Sequence, residues 1–114
     1  MAQIDLKPES LKTIRELLKA YVPKAEVWAY GSRVDGTGHD ASDLDLALRN
    51  TDNLEEAQEK LFELREALRE SNVTILVDVL DWARMPARFH REIEKAHVVL
   101  QSGRGDSFQD LQSQ

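Results

Sequence analysis

Hydrophobic and polar residues alternate along this chain with two periods, one typical of helices and one typical of strands. Apolar residues recur every three or four positions in residues 8–22 and again in residues 53–70, which predicts two amphipathic helices. Residues 43–48 alternate strictly, with leucine at every second position, and this pattern predicts a half-buried strand. The chain is therefore expected to combine helices with a β-sheet.

Three further segments complete the predicted elements. Residues 26–30 are aromatic and β-branched, which predicts a strand, and the nearly continuous apolar run of residues 73–80 predicts an interior strand. Pro86 opens a last helix, and the short apolar segment 98–100 follows it. The order helix, strand, strand, helix, strand, helix favours the α/β (α+β) class, with a small mixed β-sheet flanked by helices.

Length and composition predict one domain in a cytoplasmic protein. The 114 residues are 41% hydrophobic, enough for a single core, and the apolar runs are shorter than the roughly 18 residues of a membrane span. Residues 1–100 are assigned to the domain, and the polar residues 101–114 are expected to form a disordered tail. The first residues do not resemble a secretory signal, and the lack of cysteine excludes disulfides and thiolate chemistry.

The net charge limits the expected partners. With a formal charge of −6, the chain lacks the basic surface that sequence-independent binding to a nucleic acid duplex requires. An acidic chain still binds a nucleotide when metal ions lie between its carboxylates and the phosphates. The acidic outer face of residues 53–70 is interpreted either as a docking face or as plain solvent-exposed surface.

Three aspartates lie where a purely structural role is unusual. Asp43 and Asp45 are two apart in a predicted strand, so their carboxylates share a face, with Cα atoms about 6.5–7 Å apart. Asp78 lies alone in an apolar run, where a carboxylate must be paired, hydrated or bound to metal. Mg²⁺ would offset the mutual repulsion of the three groups. The alternative is that Asp43 and Asp45 form the solvated face of an edge strand and that Asp78 lies near the end of a strand.

The loop upstream of these aspartates favours the metal interpretation. Gly31 and Ser32 directly follow a predicted strand, and a helical turn beginning there would offer backbone N–H groups to an anion. Arg33 could contact a phosphate or pair with Asp35. Ser42 is expected to cap or orient the loop.

Five other polar and aromatic side chains have structural interpretations. Trp28 and Trp82 are expected in the core or in an interface. His90 and His97 are interpreted as surface or partner contacts. Asp81 is expected to cap the helical turn that follows it.

Together, Gly31-Ser32, Asp43-Leu44-Asp45 and Asp78 resemble the nucleotidyltransferase superfamily related to polymerase β. The chain looks most like the minimal nucleotidyltransferases, which serve as antitoxins beside HEPN-domain toxins. The resemblance covers residues 8–100 and implies the polymerase β-like nucleotidyltransferase fold.

The resemblance also implies a role for each of these residues. Gly31 and Ser32 would hold the β- and γ-phosphates of ATP, with Arg33 and Ser42 also binding the nucleotide. Asp43 and Asp45 would hold two Mg²⁺ ions. Asp78 would help to hold one ion and would orient or deprotonate the attacking hydroxyl.

The function implied by the resemblance is transfer of AMP from ATP to a hydroxyl of a partner protein, a HEPN ribonuclease toxin that is thereby silenced. No acceptor domain is expected after residue 100, so the partner would supply the acceptor within a hetero-oligomer. Two alternatives stay open. One is a non-catalytic antitoxin that binds nucleotide and neutralises by contact, and the other is a small-molecule nucleotidyltransferase of the aminoglycoside-modifying type.

Overall fold

A four-stranded mixed sheet organises the part of the chain that the computed structural model describes, which is residues 4, 6–36 and 43–103. The strand order is β3-β2-β1-β4; β1 runs antiparallel to β2 and β4, whereas β2 and β3 are parallel. The elements are α1 (Pro8–Tyr21), β1 (Glu26–Tyr30), α2 (Ser32–Asp35), β2 (Leu44–Arg49), α3 (Leu61–Glu70), β3 (Val77–Asp81), a 3₁₀ turn (Trp82–Arg84), α4 (Ala87–Lys95) and β4 (Val98–Gln101). The predicted α/β class is confirmed.

Helices α1 and α3 cover one face of the sheet. Helix α1 begins with Pro8 in its first turn and ends before Pro23, and Ile14 and Leu18 form its buried face. Helix α3 buries Leu64 and Leu68. These side chains share one core with the apolar side chains of β1, β2 and β3 that point to the same face, namely Val27, Ala29, Leu44, Leu46, Leu48 and Val79.

The opposite face of the sheet carries a cluster of stacked rings. Trp28 of β1 and Trp82 lie edge to face at 5.3 Å, and the Arg49 guanidinium lies 4.1 Å from one ring centroid and 4.7 Å from the other. His97 stacks on Trp28 and His90 stacks on Trp82, each at 3.8 Å. The tryptophans are buried as predicted. The two histidines are half-buried and stack on them, and their role as surface or partner contacts stays a prediction.

The predicted helix over residues 53–70 is too long at its start, because α3 begins only at Leu61. The preceding residues form turns, in which the side-chain oxygens of Asn50 and Asn53 accept hydrogen bonds from backbone N–H groups two residues later. The Gln58 N–H is donated to an Asp81 carboxylate oxygen at 3.0 Å, which anchors the segment to β3. These local and long-range bonds replace the helical ones.

The predicted interior strand over residues 73–80 is also corrected. Regular pairing begins at Val77, and β3 lies at the edge of the sheet instead of inside it. Arg65 of α3 donates two hydrogen bonds, of 3.2 and 2.6 Å, to the carbonyl oxygen of Val79. This contact protects part of an apolar strand that has a neighbour on one side only.

The C-terminal end of the described chain is held to the sheet and to the loop after α1. Gln101 ends β4, and its side-chain amide donates hydrogen bonds to the carbonyl oxygens of Val22 and Ala25 at 2.7 and 2.8 Å. The rest of the predicted tail, residues 104–114, lies outside the described residues. Among the described helices, none has the length and apolarity needed to cross a membrane.

Candidate active site

Tyr30, Asp45 and Asp78 form one row across three neighbouring strands. Tyr30 of β1 is the register partner of Asp45 of β2, which is in turn the register partner of Asp78 of β3. Register partners point to the same face of a sheet, and here it is the face away from α1 and α3. Asp43 immediately precedes β2 and is exposed. The structure therefore brings Asp45 and Asp78 side by side, with Asp43 two residues away.

The carboxylates of this row influence each other electrostatically. Burial raises the pKa of Asp45, and the neighbouring charges of Asp78 and Asp43 raise it further. Burial also raises the pKa of Tyr30 to about 12, with added contributions from Asp45 and Asp78. The Tyr30 phenol consequently keeps its proton at neutral pH and can donate a hydrogen bond.

Gly31 packs directly against Asp45. Its backbone has φ +86° and ψ −158°, a region that only glycine adopts readily. A Cβ at this position would lie 2.5 Å from one carboxylate oxygen of Asp45, closer than real Cβ contacts. The Gly31 carbonyl oxygen accepts hydrogen bonds from the N–H groups of Val34 and Asp35, which closes the single turn of α2. The glycine thus allows this turn to lie against the carboxylate row.

The other residues predicted to bind the nucleotide are Ser32, Arg33 and Ser42. Ser32 is the first residue of α2, next to the Gly31 contact with Asp45. Arg33 is buried, so its guanidinium is held within the fold and does not extend into solvent, whereas Asp35 is exposed. Ser42 lies outside the described residues.

Asp81 is separated from the carboxylate row. It is the register partner of Leu48 and is buried on the helix-covered side of the sheet, where it accepts the Gln58 N–H. Arg84 lies 3.6 Å from its other carboxylate oxygen. Among the described residues, its side chain makes no capping hydrogen bond to the following turn, so the predicted capping role is wrong. This placement leaves Asp78 as the carboxylate beside Asp45.

The donor set of the row suits a hard cation. Carboxylate oxygens are the ligands that Mg²⁺ prefers, and a cation would offset both the burial and the neighbouring charges that raise the pKa of Asp45. Within the described ranges, no three Asp, Glu or His side chains already converge on one point as metal ligands. Metal binding here therefore requires the carboxylates to turn toward a common ion.

A cavity of about 440 Å³ opens beside the row. Tyr30 and Gly31 line it, together with Leu80, Met85 and Phe89. Sequence reasoning missed Tyr30, although the alternation of β1 together with the neighbouring Gly-Ser pair could have placed this side chain on the site's face. The cavity itself has no sequence signal, because residues from distant elements form it.

Comparison with known proteins identifies the family. A family model for the central palm domain of mitochondrial-like poly(A) RNA polymerase matches residues 1–101. The chain belongs to this family of polymerase β-like nucleotidyltransferases. Within the family, the chain is 42% identical over 101 residues to the probable protein adenylyltransferase MntA of Haemophilus influenzae, covering 88% of this chain and 86% of the relative.

A more distant relative and a solved structure of similar fold extend the comparison. Poly(A) RNA polymerase protein 2 of Saccharomyces cerevisiae is 27% identical over 84 residues, which are 74% of this chain and 14% of the yeast protein. A crystal structure of a toxin–antitoxin with AMP-PNP superposes with a TM-score of 0.66, covers 90% of both chains and has 22% sequence identity. The predicted superfamily and its fold are thereby confirmed, whereas the roles of the individual site residues remain predictions.

Proposed function

We propose that this chain is a Mg²⁺-dependent protein adenylyltransferase, which moves AMP from ATP to a hydroxyl of a partner protein. The partner in this proposal is a HEPN-type toxin, and its modification neutralises it. The row of Tyr30, Asp45 and Asp78 against the Gly31 turn carries the proposal, because it places a carboxylate pair beside a candidate phosphate-binding turn. The similarity to MntA and to a toxin–antitoxin bound to AMP-PNP supports this choice of donor and acceptor.

The turn at Gly31 and Ser32 binds the β- and γ-phosphates through backbone N–H groups and the serine hydroxyl. Asp43, Asp45 and Asp78 are the residues that would hold two Mg²⁺ ions. When bound, the ions supply positive charge at the attacking and leaving oxygens. The protonated phenol of Tyr30 lies at the edge of this group of carboxylates and is available as a hydrogen-bond donor.

The acceptor hydroxyl attacks the α-phosphorus of ATP while the bond to pyrophosphate breaks. Asp78 orients this hydroxyl and accepts its proton, so that the acceptor oxygen carries the AMP. The turn at Gly31 and Ser32 keeps the leaving pyrophosphate in line with the attack. Because a second protein supplies the acceptor, the working unit in this proposal is a hetero-oligomer. Because ATP is the donor, the proposed reaction takes place in the cytoplasm.

The test is the intact mass of the partner after co-expression with the wild-type chain or with Asp43→Asn/Asp45→Asn. Asp52→Asn/Glu55→Gln is the matched control, because it removes two exposed carboxylates outside the row. We expect a mass gain of one or more AMP units with the wild type and with the control, and none with Asp43→Asn/Asp45→Asn.

Two results would each indicate a different function. An unmodified partner that is still bound and neutralised would indicate an antitoxin that acts by contact. Transfer of AMP to a small hydroxyl compound, with no protein modified, would indicate a small-molecule nucleotidyltransferase. Unchanged modification by Asp43→Asn/Asp45→Asn would refute the assigned site.

A further inference from the structure

Tyr30 is held in place beside the carboxylate row. Its side chain is half-buried and packs against the buried cluster of Trp28, Ala47, Trp82 and Ile93. A side chain that packing already holds is suited to orient a polar neighbour, because little further conformational entropy is lost when the two bond. Within the described parts of the chain, the Tyr30 hydroxyl makes no hydrogen bond to another protein group. The ring is therefore anchored, whereas the hydroxyl remains available as a donor.

The Asp45 carboxylate is the neighbour of Tyr30 on the adjacent strand. The two residues are register partners on one face of the sheet, and the Cβ atoms of directly opposite residues lie about 4.5–5.5 Å apart. Burial raises the pKa of Tyr30 most, and of the two neighbouring charges that raise it further, Asp45 contributes more than Asp78. Gly31, the next residue along the chain, lies against one oxygen of the same carboxylate. Two consecutive residues thus flank Asp45.

Metal binding requires the Asp45 carboxylate to adopt one particular orientation. Among the described residues, no three acidic or histidine side chains converge as metal ligands, so the carboxylates must turn toward an ion. A carboxylate that binds a cation through one oxygen still accepts a hydrogen bond, and such bonds orient metal-ligating carboxylates. A donor that is fixed beside Asp45 would favour the ligating orientation before the ion arrives.

The other charged neighbours on this face do not supply that donor. Arg49 lies on the same face of β2, but it is four residues from Asp45 and pairs with Glu26. On the opposite side of Asp45, β3 presents Asp78, whose negative charge raises the pKa of Asp45 and cannot orient it by donation at neutral pH. The hydrogen-bond donor of the carboxylate row is therefore Tyr30.

We propose that Tyr30 is a positioning residue, whose hydroxyl donates a hydrogen bond to the Asp45 carboxylate and holds it in the orientation that binds Mg²⁺. This inference rests on the proposed function, because it takes Asp45 as a metal ligand. Tyr30 acts through Asp45 and does not itself contact the reacting atoms. The packed rings behind Tyr30 thereby contribute to the order of the metal site.

The test removes the hydroxyl and keeps the ring. Tyr30→Phe deletes one oxygen atom, so the packing of the ring is retained. Tyr21→Phe is the matched control, because the chain has two tyrosines and Tyr21 is also half-buried but lies in α1, on the other face of the sheet. The probe is Mg²⁺ alone, and its dissociation constant is obtained from the rise in unfolding temperature with Mg²⁺ concentration. We expect Tyr30→Phe to raise this constant by about tenfold or more and Tyr21→Phe to leave it unchanged.

Transfer kinetics distinguish positioning from direct contact with the substrate. Because Tyr30 acts through Asp45, saturating Mg²⁺ should restore the rate of AMP transfer by Tyr30→Phe to within about threefold of wild type. The KM for ATP at saturating Mg²⁺ should also be unchanged. A loss of kcat that persists at saturating Mg²⁺ would overturn the positioning role, since it would indicate that the hydroxyl contacts a reacting group.

The outcomes separate the role of Tyr30 from the proposed function. An equal dissociation constant for Mg²⁺ in wild type and Tyr30→Phe, or an equal increase in Tyr30→Phe and Tyr21→Phe, overturns the positioning role and leaves the transferase standing. Weaker Mg²⁺ binding by Tyr30→Phe alone, in a chain that modifies no protein, supports the positioning role and overturns the transfer to a protein. If Mg²⁺ does not stabilise the wild type, the assigned metal site and the role of Tyr30 both fail.

Discussion

Replacing Gly31 by alanine should damage both stability and transfer, and the structure allows the two effects to be separated. The backbone at Gly31 has φ +86° and ψ −158°, and a residue with a side chain in this region costs on the order of 1–3 kcal/mol. The new Cβ would also lie 2.5 Å from an Asp45 carboxylate oxygen. The first effect lowers the free energy of unfolding, whereas the second displaces a predicted metal ligand.

The size of the displacement sets the expected loss of activity. The Asp45 oxygen must move from 2.5 Å to at least the 3.4 Å at which ordinary van der Waals contact begins. A misplacement of about 1 Å in a site that works by positioning costs about 10²-fold in rate. We therefore expect the rate of AMP transfer to fall by about two orders of magnitude in Gly31→Ala.

Gly36→Ala is the matched control. Gly36 has nearly the same φ, +88°, but no described atom lies within 4 Å of a Cβ placed there. Both variants should unfold at lower temperature, by roughly 4–8 °C for each kcal/mol in a small domain, when circular dichroism follows thermal unfolding. Only Gly31→Ala should lose transfer. Equal activity in the two variants would refute the inferred contact between the turn and Asp45.

Three further predictions concern charges and rings. Asp45→Asn should raise the free energy of unfolding at pH 7 without divalent cations by roughly 0.2–1 kcal/mol, because it relieves the repulsion by the neighbouring carboxylates. The raised pKa of Asp45 means that the native state binds the proton more tightly, so this gain should vanish as the pH falls below the interval in which Asp45 titrates. Added Mg²⁺ should stabilise the wild type and not Asp45→Asn, as thermal unfolding will show. Tyr30→Phe should reduce the loss of stability between about pH 10 and 12, where an ionising Tyr30 destabilises the fold, and should remove the latest step of a spectrophotometric tyrosine titration. Arg49→Lys should lower stability by about 1–2 kcal/mol through lost stacking and should change the fluorescence of Trp28.

Much of the fold follows from residue patterns that act locally. Strand β1 has the bounds predicted from its aromatic and β-branched residues, and β2 differs by one residue at each end from the segment predicted by alternation. Both signals are local. The alternation also places Asp45 on the face opposite Leu44 and Leu46, which is where the structure has it. Local periodicity was therefore sufficient to place one of the two carboxylates of the row, that of Asp45.

The errors arise where contacts between distant residues decide the structure. Leu54 and Ala57 continue the periodicity of α3, yet the helix begins only at Leu61. Side-chain hydrogen bonds of two asparagines and the bond from Gln58 to Asp81 hold the preceding residues in turns. The edge position of β3 depends on strand order, which one sequence does not encode visibly. The same limit applies to the ring cluster around Arg49, since its members come from β1, β2, the 3₁₀ turn, α4 and the loop before β4.

The mixed pairing of β2 explains why the candidate site lies at one end of the sheet. The antiparallel neighbour β1 brings its last residue, Tyr30, and the Gly31 turn beside the start of β2, and the parallel neighbour β3 brings its own start there with Asp78. The opposite end of β2 carries Arg49, which pairs with Glu26 and lies against the rings of Trp28 and Trp82. The carboxylates that repel each other thus lie at one end of β2, and the stacked rings that stabilise the same face of the sheet lie at its other end. Substitutions at Arg49 should consequently change the free energy of unfolding and leave the affinity for ATP unchanged.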